Sequence, residues 1–395
     1  MTSLWIGVIL LLSVPVSIAL LLGWLYFHLC RNYLHYVVRI FQEKPLFNIP
    51  RGQPVDGAEE VTLVADGLRL RGTYFKTAKP RKGVILFGLE FGSNRWACVP
   101  YCEQLLAEGY DIFTFESRNQ GDSDRQPRYD PLQWVTNFEV RDMHAALTYL
   151  KGRPDADPGG IGFFGISKGA GAAVIAFAAD PYVRCFLTDG MFATYTTLVP
   201  YMRQWFRIYN SRYALQGLLP SWYYGIIGKH GLRIVARQRG CRFPHLEHAL
   251  ARRLPSPLLM IHGGGDTYIK PEMARSLFER TPGPKEFWLV EGAKHNQAQQ
   301  LAGDDYRRRV LEFFNRHLAT PPERDLSTNG TADPWPASRE SRTDSPVVPV
   351  MPPNPAGPAS RDPASGPAIG VQETNSRVPE SAILDPSGQS ADVGP

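Results

Sequence analysis

Cysteine is scarce in this chain, with five residues among 395. Their number is odd, and their spacing matches neither a zinc site nor the framework of a disulfide-rich secreted domain. Such cysteine usage is typical of proteins in a reducing compartment. Cys98 and Cys102 lie four residues apart on a predicted helix, and we interpret them as small packed side chains. The sequence therefore predicts no metal site.

Concentrated positive charge is also missing. The net charge is only +5, and Lys and Arg are scattered through the central region without interleaved aromatic residues. A nucleic-acid-binding domain would instead carry a basic stripe or patch. The sequence also lacks an internal repeat. These absences predict no nucleic-acid partner and leave a globular enzyme or a binding module.

Charged side chains are absent from the first 30 residues. The apolar stretch from Leu4 to His28 is long enough to cross a hydrocarbon layer of about 30 Å as a helix. No basic residue precedes it and no small-residue cleavage pattern closes it, so we favour an uncleaved anchor over a signal peptide or a buried helix. Residues 1–30 are therefore predicted to be a transmembrane anchor, followed by a juxtamembrane linker at 31–57.

The flanks of this stretch predict its orientation. Basic residues tend to remain on the cytoplasmic side of a membrane. Four of them follow the stretch and none precedes it. They are Arg31, Arg39, Lys44 and Arg51. We therefore expect a single-pass membrane protein whose catalytic part faces the cytoplasm.

The far end of the chain has a different composition. Residues 319–395 contain 15 of the 34 prolines, with many Ser, Gly and Asp residues and few aromatic ones between them. Such a segment cannot bury enough apolar surface to offset the entropy lost on ordering. We therefore predict a disordered, proline-rich tail.

Between these ends, residues 58–318 alternate strand-like and helix-like patterns. Two short alternating runs joined at Asp66 and Gly67 predict an antiparallel hairpin. Six near-continuous apolar runs follow, separated by helical periodicity, which is typical of a parallel sheet covered on both faces. The expected fold class is α/β, with about eight mostly parallel strands. Residues 191–254, rich in Trp, Tyr and Arg, are predicted to insert a helical cap after the sixth strand.

One predicted strand ends in a chemical motif. The run GFFGISKGAG places Ser167 between Gly165 and Gly169, which is the G-x-S-x-G spacing of a nucleophile elbow. Glycines suit these positions because a side chain in so sharp a turn would clash with the neighbouring strand and helix. A glycine-rich turn with a serine N-cap has the same spacing, so the motif alone does not decide. The side chain of Lys168 is expected at the surface beside the helix start.

A serine hydroxyl needs a base to act as a nucleophile at neutral pH. The apolar run PLLMIHGG is followed by Asp266, and the run KEFWLVEG is followed by His295. The chain order Ser167, Asp266, His295 is that of α/β hydrolases. Two alternatives remain open. His262 could serve as the base, although it breaks this order, and Asp189 could replace Asp266 as the acid.

Together these motifs resemble the α/β-hydrolase superfamily from about Glu60 to Leu318. The matching pieces are LEFGSNRWA, FESRNQGDSD, GFFGISKGAG, LLMIHGGGDTYI and VEGAKHNQ. Within the superfamily, the chain is similar to the serine peptidase and esterase-like branch that includes the Bem46-like membrane-anchored hydrolases. The resemblance implies that Ser167 is the nucleophile, His295 the general base and Asp266 its orienting acid, with no metal or organic cofactor.

The resemblance also implies an oxyanion hole made of two backbone N–H groups. One belongs to Lys168, the residue after the nucleophile. Many superfamily members carry His-Gly at the end of the third strand, where this chain has Leu-Glu. Alignment on GSNR places the second donor at Phe91, with Glu90 as the less favoured choice. We expect the Glu90 carboxylate to pair with Arg118 or Arg95, or to bind a cationic substrate group.

The sequence thus predicts a membrane-anchored serine hydrolase that cleaves an ester, thioester or amide through an acyl-enzyme. The aromatic cap and the anchor favour a small or lipid-like acyl substrate. Trp205, Tyr209 and Tyr213 are expected to pack within the cap. The alternative enzyme is a small-peptide aminopeptidase in which Glu90 binds the free amine. The alternative of another class is a catalytically silent α/β hydrolase that serves as a membrane-tethered binding module.

Overall fold

A computed structural model describes residues 2–44, 49–209 and 220–319, and leaves the side chains of residues 2–11 and 204–209 undescribed. Residues 320–395 of the predicted tail, Tyr213, and the side chains of Trp205 and Tyr209 therefore lie outside the described residues.

A sheet of eight strands forms the centre of the described chain. The strands are β1 (Glu59–Ala65), β2 (Leu68–Phe75), β3 (Gly83–Gly88), β4 (Tyr110–Phe115), β5 (Ile161–Ile166), β6 (Val183–Asp189), β7 (Leu258–Gly263) and β8 (Lys285–Val290). Their order in the sheet is β1-β2-β4-β3-β5-β6-β7-β8. Strand β2 is antiparallel to β1 and β4, and all other neighbours are parallel. The predicted α/β class and strand number are confirmed.

Helices cover both faces of this sheet. They are α1 (Thr2–Gln42), α2 (Val99–Ala107), α3 (Asn137–Lys151), α4 (Ser167–Phe177), α5 (Thr194–Tyr209), α6 (Ser221–Arg239), α7 (Leu246–Ala251), α8 (Pro271–Arg280) and α9 (Ala298–His317), with a short 3₁₀ helix at Arg95–Cys98. Strands β3 to β7 are buried along their whole length or nearly so, because helices pack against them from either side. Their near-continuous apolar character follows from this double cover.

The predicted hairpin and cap are both present. Ala65 pairs with Leu68 across a two-residue turn in which Asp66 and Gly67 both have positive φ, as a tight hairpin turn requires. Helices α5, α6 and α7 lie between β6 and β7 and form the helical insertion. The buried side chains of α5 and α6 share one apolar cluster with Trp134 and with Phe41 of α1.

Helix α1 is the described helix that is long and apolar enough to cross a membrane. Its segment Leu12–Gln42 has a mean hydropathy of 1.7 over its most apolar window, and only 6% of that window is buried. The helix runs past the predicted anchor boundary into the predicted linker and ends at Gln42. Its last turns, including Val37, Ile40 and Phe41, are buried against the rest of the protein.

The side chain of Lys168 is buried, so the predicted surface position is wrong. Its ammonium group donates to Glu139 Oε1 at 2.8 Å and to the carbonyl oxygen of Leu132 at 2.6 Å. Glu139 also closes the capping box of α3 with Thr136, since its carboxylate accepts from the Thr136 backbone N–H. Burial alone would raise the pKa of Glu139, but the charge of Lys168 and its hydrogen bonds hold that pKa below its usual value. The pair therefore joins the start of α4 to the start of α3.

We expect Lys168→Met to lower the free energy of unfolding by about 3–5 kcal/mol, because it leaves a buried carboxylate without its cation. The double variant Lys168→Met/Glu139→Gln should recover much of this loss, because no charge remains to be compensated. Denaturant unfolding followed by circular dichroism measures both values. Equal stability of the native chain and Lys168→Met would show that the pair contributes nothing.

Candidate active site

A sharp turn at the end of β5 sets the position of Ser167. Strand β5 ends at Ile166 and α4 begins at the serine itself, whose φ is +50°. This left-handed conformation is costly for a residue with a Cβ and is typical of functional sites. A Cβ on Gly169 would lie 2.3 Å from the Leu89 carbonyl oxygen, so α4 approaches the end of β3 too closely for any side chain there. The turn therefore holds the Ser167 hydroxyl above the carboxyl edge of the sheet.

Three predicted residues form a hydrogen-bonded chain at this edge. Ser167 Oγ lies 3.0 Å from His295 Nε2, and His295 Nδ1 lies 2.6 Å from Asp266 Oδ2. Ser167 and Asp266 are both buried. With the Nδ1 proton donated to Asp266, Nε2 carries the lone pair that faces the hydroxyl. This arrangement can withdraw a proton from Ser167 Oγ.

The Asp266 carboxylate is fixed by its own loop. Its Oδ1 accepts hydrogen bonds from the backbone N–H groups of Tyr268 and Ile269, both at 2.8 Å. The second oxygen is thereby directed at His295, and the Tyr268 ring lies 5.9 Å from the imidazole between centroids. The loop after β7 thus orients the acid, and through it the base.

The two alternative residues have other partners. His262 Nε2 lies 2.8 Å from the Ile269 carbonyl oxygen and 3.6 Å from Asp266, and its ring is fully buried. Burial lowers the pKa of His262, so the neutral ring shapes the Asp266 loop. Asp189 accepts from the Tyr306 hydroxyl at 2.9 Å through one oxygen, and its other oxygen has no hydrogen-bond partner in the described structure. Asp266 is therefore the carboxylate that His295 meets.

Glu90 lacks the predicted arginine partner. Arg118 pairs with Asp142 and Asp66. Arg95 pairs with three other carboxylates, those of Glu60, Glu116 and Asp122. The Glu90 carboxylate instead accepts a hydrogen bond from Asn296 Nδ2 at 2.5 Å. It is buried and lies beside the loop after β8 that carries His295 and Asn296.

Burial of two carboxyl groups without a cation changes their protonation. It raises the pKa of Glu90 to about 7, against the opposing hydrogen bond from Asn296 and the nearby His295. It also raises the pKa of Asp189 to about 7, against the opposing hydrogen bond from Tyr306. At neutral pH both groups therefore carry a large neutral fraction.

The residues predicted to supply the two oxyanion N–H groups meet through their side chains. Phe91 is buried, and the Lys168 ammonium group lies 5.4 Å from the centre of its ring. The ammonium group is attracted to the negative face of the aromatic ring, which holds the Lys168 and Phe91 side chains together. Phe91, in the loop after β3, thereby contacts the first turn of α4.

Two cavities border this edge of the sheet. One, of about 770 Å³, is lined by His295, Asn296, Glu90 and Tyr101, together with residues of the segment before β1 and of α9. The other, of about 330 Å³, lies between the cap and the Asp266 loop, with Val199, Tyr201, Ser221 and Tyr268 in its wall. The edge is therefore open on two flanks, one beside Glu90 and one beside the cap.

Asn296 is a site residue that sequence reasoning missed. Its backbone has a φ of +57°, which asparagine tolerates better than most residues, and its side chain reaches Glu90. Gly190, with a φ of +65°, faces it so closely that a Cβ would lie 2.6 Å from Asn296 Oδ1. The available signal was a polar residue directly after the candidate base.

Two further features concern the cysteine side chains and possible metal ligands. Cys98 and Cys102 are both buried free thiols, as predicted. Among the described residues, no group of three or more His, Cys, Asp or Glu side chains is arranged to hold a metal ion.

Comparisons with known proteins found relatives similar in sequence and solved structures similar in fold. No family model matches the chain. The uncharacterised protein YfhR of Escherichia coli O157:H7 is 26% identical over 265 residues, which cover 65% of this chain and 80% of that protein. An esterase of Pyrococcus furiosus has a similar solved structure, with a TM-score of 0.52, 21% identity, and coverage of 70% of this chain and all of that one.

A second similar solved structure is that of an α/β hydrolase. The α/β hydrolase GrgF from Penicillium sp. sh18 matches with a TM-score of 0.50 and 20% identity, over 66% of this chain and 99% of that chain. The placement of the present protein in the Bem46-like branch stays a prediction. The sheet order, the turn at Ser167 and these likenesses together show that the protein has the α/β-hydrolase fold.

Proposed function

We propose that this protein is a serine hydrolase that cleaves an ester or thioester bond through an acyl-enzyme. The observation that carries the proposal is the chain of hydrogen-bond distances from Ser167 through His295 to Asp266, at a serine with positive φ. The likeness in fold to an esterase supports it. Fold alone does not give a reaction, so the argument is based on the geometry of the site.

The first half of the reaction forms a covalent bond to Ser167. His295 Nε2 takes the hydroxyl proton while Oγ adds to the carbonyl carbon, and the carbonyl oxygen becomes an oxyanion. Asp266 stabilises the imidazolium that results, at the 2.6 Å contact with Nδ1. The imidazolium then gives its proton to the leaving group, and the C–O or C–S bond breaks to leave the acyl-enzyme.

The second half reverses these proton movements with water. His295 takes a proton from water, hydroxide adds to the acyl carbon, and the acid departs as Ser167 regains its proton. In both halves the oxyanion would be bound by the backbone N–H groups of Lys168 and Phe91. The Lys168 N–H lies at the start of α4, where the helix dipole favours negative charge.

The protonation of Glu90 bears directly on this oxyanion. An ionised carboxylate beside the forming negative charge would repel it, whereas the neutral acid would not. Burial of Glu90 raises its pKa to about 7, so the neutral form is favoured below neutral pH. Glu90 is therefore compatible with oxyanion chemistry in spite of its unusual position.

We infer an apolar acyl substrate from α1 and from part of the cap-cavity wall, which also contains Thr197, Arg203 and Lys270. Val199, Tyr201 and Tyr268 line the cap cavity, and the Tyr268 ring lies 5.9 Å from His295. An acyl chain placed there would approach the site from the side of Tyr268 and His295. With α1 as a single membrane span and the basic residues after it, we propose that the catalytic domain lies on the cytoplasmic face of the membrane.

A second candidate, an aminopeptidase-like activity, is favoured by one observation. Within the described ranges no cation pairs with Glu90, and the larger cavity has this carboxyl in its wall. A substrate ammonium group bound there would supply the missing positive charge. Glu90→Gln therefore separates ester hydrolysis from aminopeptidase activity, because it should affect the two in opposite directions.

We expect Asp266→Asn to lower kcat for a p-nitrophenyl ester by about 10⁴-fold, because it loses the carboxylate that fixes the histidine tautomer. Ser167→Ala should lose the activity. Asp189→Asn is the matched control, since it alters a buried acid that accepts its hydrogen bond from Tyr306, and it should keep most of the rate. Stopped-flow and steady-state assays measure these rates. A loss on Asp189→Asn with an active Asp266→Asn would reverse the assignment of the acid.

We expect Glu90→Gln to change the pH profile. The ratio of kcat for the variant to kcat for the native enzyme, on an uncharged ester, should be near one at pH 6. It should rise through pH 7 by roughly tenfold, the effect of about 1.4 kcal/mol of repulsion between carboxylate and oxyanion. Glu103→Gln, which alters an exposed carboxylate of the same cavity, is the control and should give a flat ratio.

For an aminoacyl p-nitroanilide the sign reverses if Glu90 binds the amine. Glu90→Gln would then raise KM above pH 7, where the native carboxylate is charged. A flat ratio on the ester combined with a large KM increase on the anilide would favour the aminopeptidase and contradict the oxyanion role argued for Glu90.

A further inference from the structure

Helix α6 of the cap lies alongside the C-terminal half of α1. The Tyr223 hydroxyl donates to the carbonyl oxygen of Leu22 at 3.2 Å, near the start of α6. Further along, the Tyr26 hydroxyl lies 2.8 Å from His230 Nδ1. At the far end, Gln42 contacts both Gln238 and Arg239. The two helices therefore run parallel, and the start of α6 is level with Leu22.

This register places the start of α6 inside the charge-free stretch. That stretch ends at Cys30. Leu22 precedes its end by about two turns, which corresponds to roughly 10 Å along a helix. Side chains of α1 on either side of this level are largely exposed, as for Leu20, Trp24 and Phe27. If α1 crosses a bilayer, the first turns of α6 reach the same depth.

One exposed face of α6 has the composition that this depth requires. Residues at successive steps of four, three, four and four fall on a single helix face. They are Trp222, Ile226, Lys229, Arg233 and Arg237, and all five are exposed. We call these five residues the α6 stripe. The two apolar residues of the α6 stripe lie at the level of the charge-free stretch of α1. Its three cationic residues lie further toward the C-terminal end of α6.

Lys229, the first cation of the α6 stripe, lies near the end of the charge-free stretch of α1. His230, the neighbour of Lys229, contacts both Tyr26 and Cys30. Arg31, the first charged residue of the chain, is exposed at the next position of α1. An interfacial helix carries aromatic and apolar side chains below such a boundary and Lys or Arg at the level of the lipid headgroups.

Charge selects the kind of lipid. Residues 191–254 contain ten Lys and Arg residues and one acidic residue, Glu247. Glu247 accepts hydrogen bonds from the backbone and the hydroxyl of Thr196, so it does not offset the stripe. Clustered Lys and Arg beside a membrane span attract anionic lipids of the cytoplasmic leaflet.

We infer that the α6 stripe is a membrane-contact surface, which seats the cap on a leaflet containing anionic phospholipids. Trp222 and Ile226 enter the headgroup and acyl boundary, while Lys229, Arg233 and Arg237 bind phosphate groups above it. This inference depends on α1 being a membrane span and does not depend on the hydrolase chemistry. It explains why apolar side chains of α6 are left exposed beside α1.

The test uses the full chain in nanodiscs and a fluorescent label that senses lipid. Cys30→Ser removes the one described cysteine that is not buried. An environment-sensitive dye is then placed at Ile226→Cys, at Ile18→Cys on the exposed anchor, or at Leu301→Cys, an exposed apolar position on α9. Lipids with a spin label at a shallow acyl position quench a dye that lies in the bilayer.

We expect quenching at positions 18 and 226 and none at 301, in discs of phosphatidylcholine with phosphatidylglycerol. Quenching at 18 without quenching at 226 overturns the inference and leaves the anchor intact. Absence of quenching at all three positions overturns the anchor and the inference together. Neither outcome bears on ester hydrolysis, which separate assays of the same discs report.

Charge reversal tests the choice of lipid. Lys229→Glu/Arg233→Glu/Arg237→Glu should lower quenching at position 226 several-fold in anionic discs. The matched control reverses three exposed arginines on other elements, Arg252, Arg280 and Arg316, and should leave quenching unchanged. Equal quenching in both triple variants would overturn the role of anionic headgroups.

Discussion

The close approach of α4 to the ends of β3 and β5 is the constraint on which the site depends. Gly165 and Gly169 flank Ser167, and a Cβ on either would overlap neighbouring atoms at less than 2.5 Å. The chain can turn from strand to helix within one residue only because these side chains are absent, and the serine takes up the remaining strain with a φ of +50°. The 3.0 Å distance from Ser167 Oγ to His295 Nε2 depends on that turn.

The distribution of buried charge separates supporting residues from site residues. Lys168 with Glu139, Arg118 with Asp142, and Arg95 with its carboxylates are complete pairs, which hold loops and helix starts in place. Breaking any of them would strand a buried charge. Glu90 and Asp189 are buried without a cation in the described structure, and both lie near His295. Uncompensated carboxyl groups of this kind cluster at functional sites.

The sequence predicted the features that depend on local spacing. The strand periodicity, the Asp66-Gly67 turn and the order of Ser167, Asp266 and His295 are all properties of short segments, and the structure shows each segment in its expected place. The approach of α4 to β3 was foreseen for the same reason, since the glycines of G-x-S-x-G report it directly.

Partners across the fold could not be read from spacing. Lys168 reaches Glu139, and Asn296 reaches Glu90 over 206 positions of the chain. The expected Arg118 or Arg95 partner for Glu90 was wrong because those arginines had nearer carboxylates. The extent of α1 was also unpredictable, because its last turns are helical for a tertiary reason, the burial of Val37 and Phe41 against the cap and its neighbours.

The central claim is that Ser167 is activated by His295 for covalent chemistry. It is tested most directly by treating the purified full-length protein with a fluorophosphonate and locating the adduct by tandem mass spectrometry. The account predicts a single adduct on Ser167, which is lost in Ser167→Ala and formed far more slowly in His295→Ala. An adduct on another residue, or labelling that is independent of His295, would contradict it.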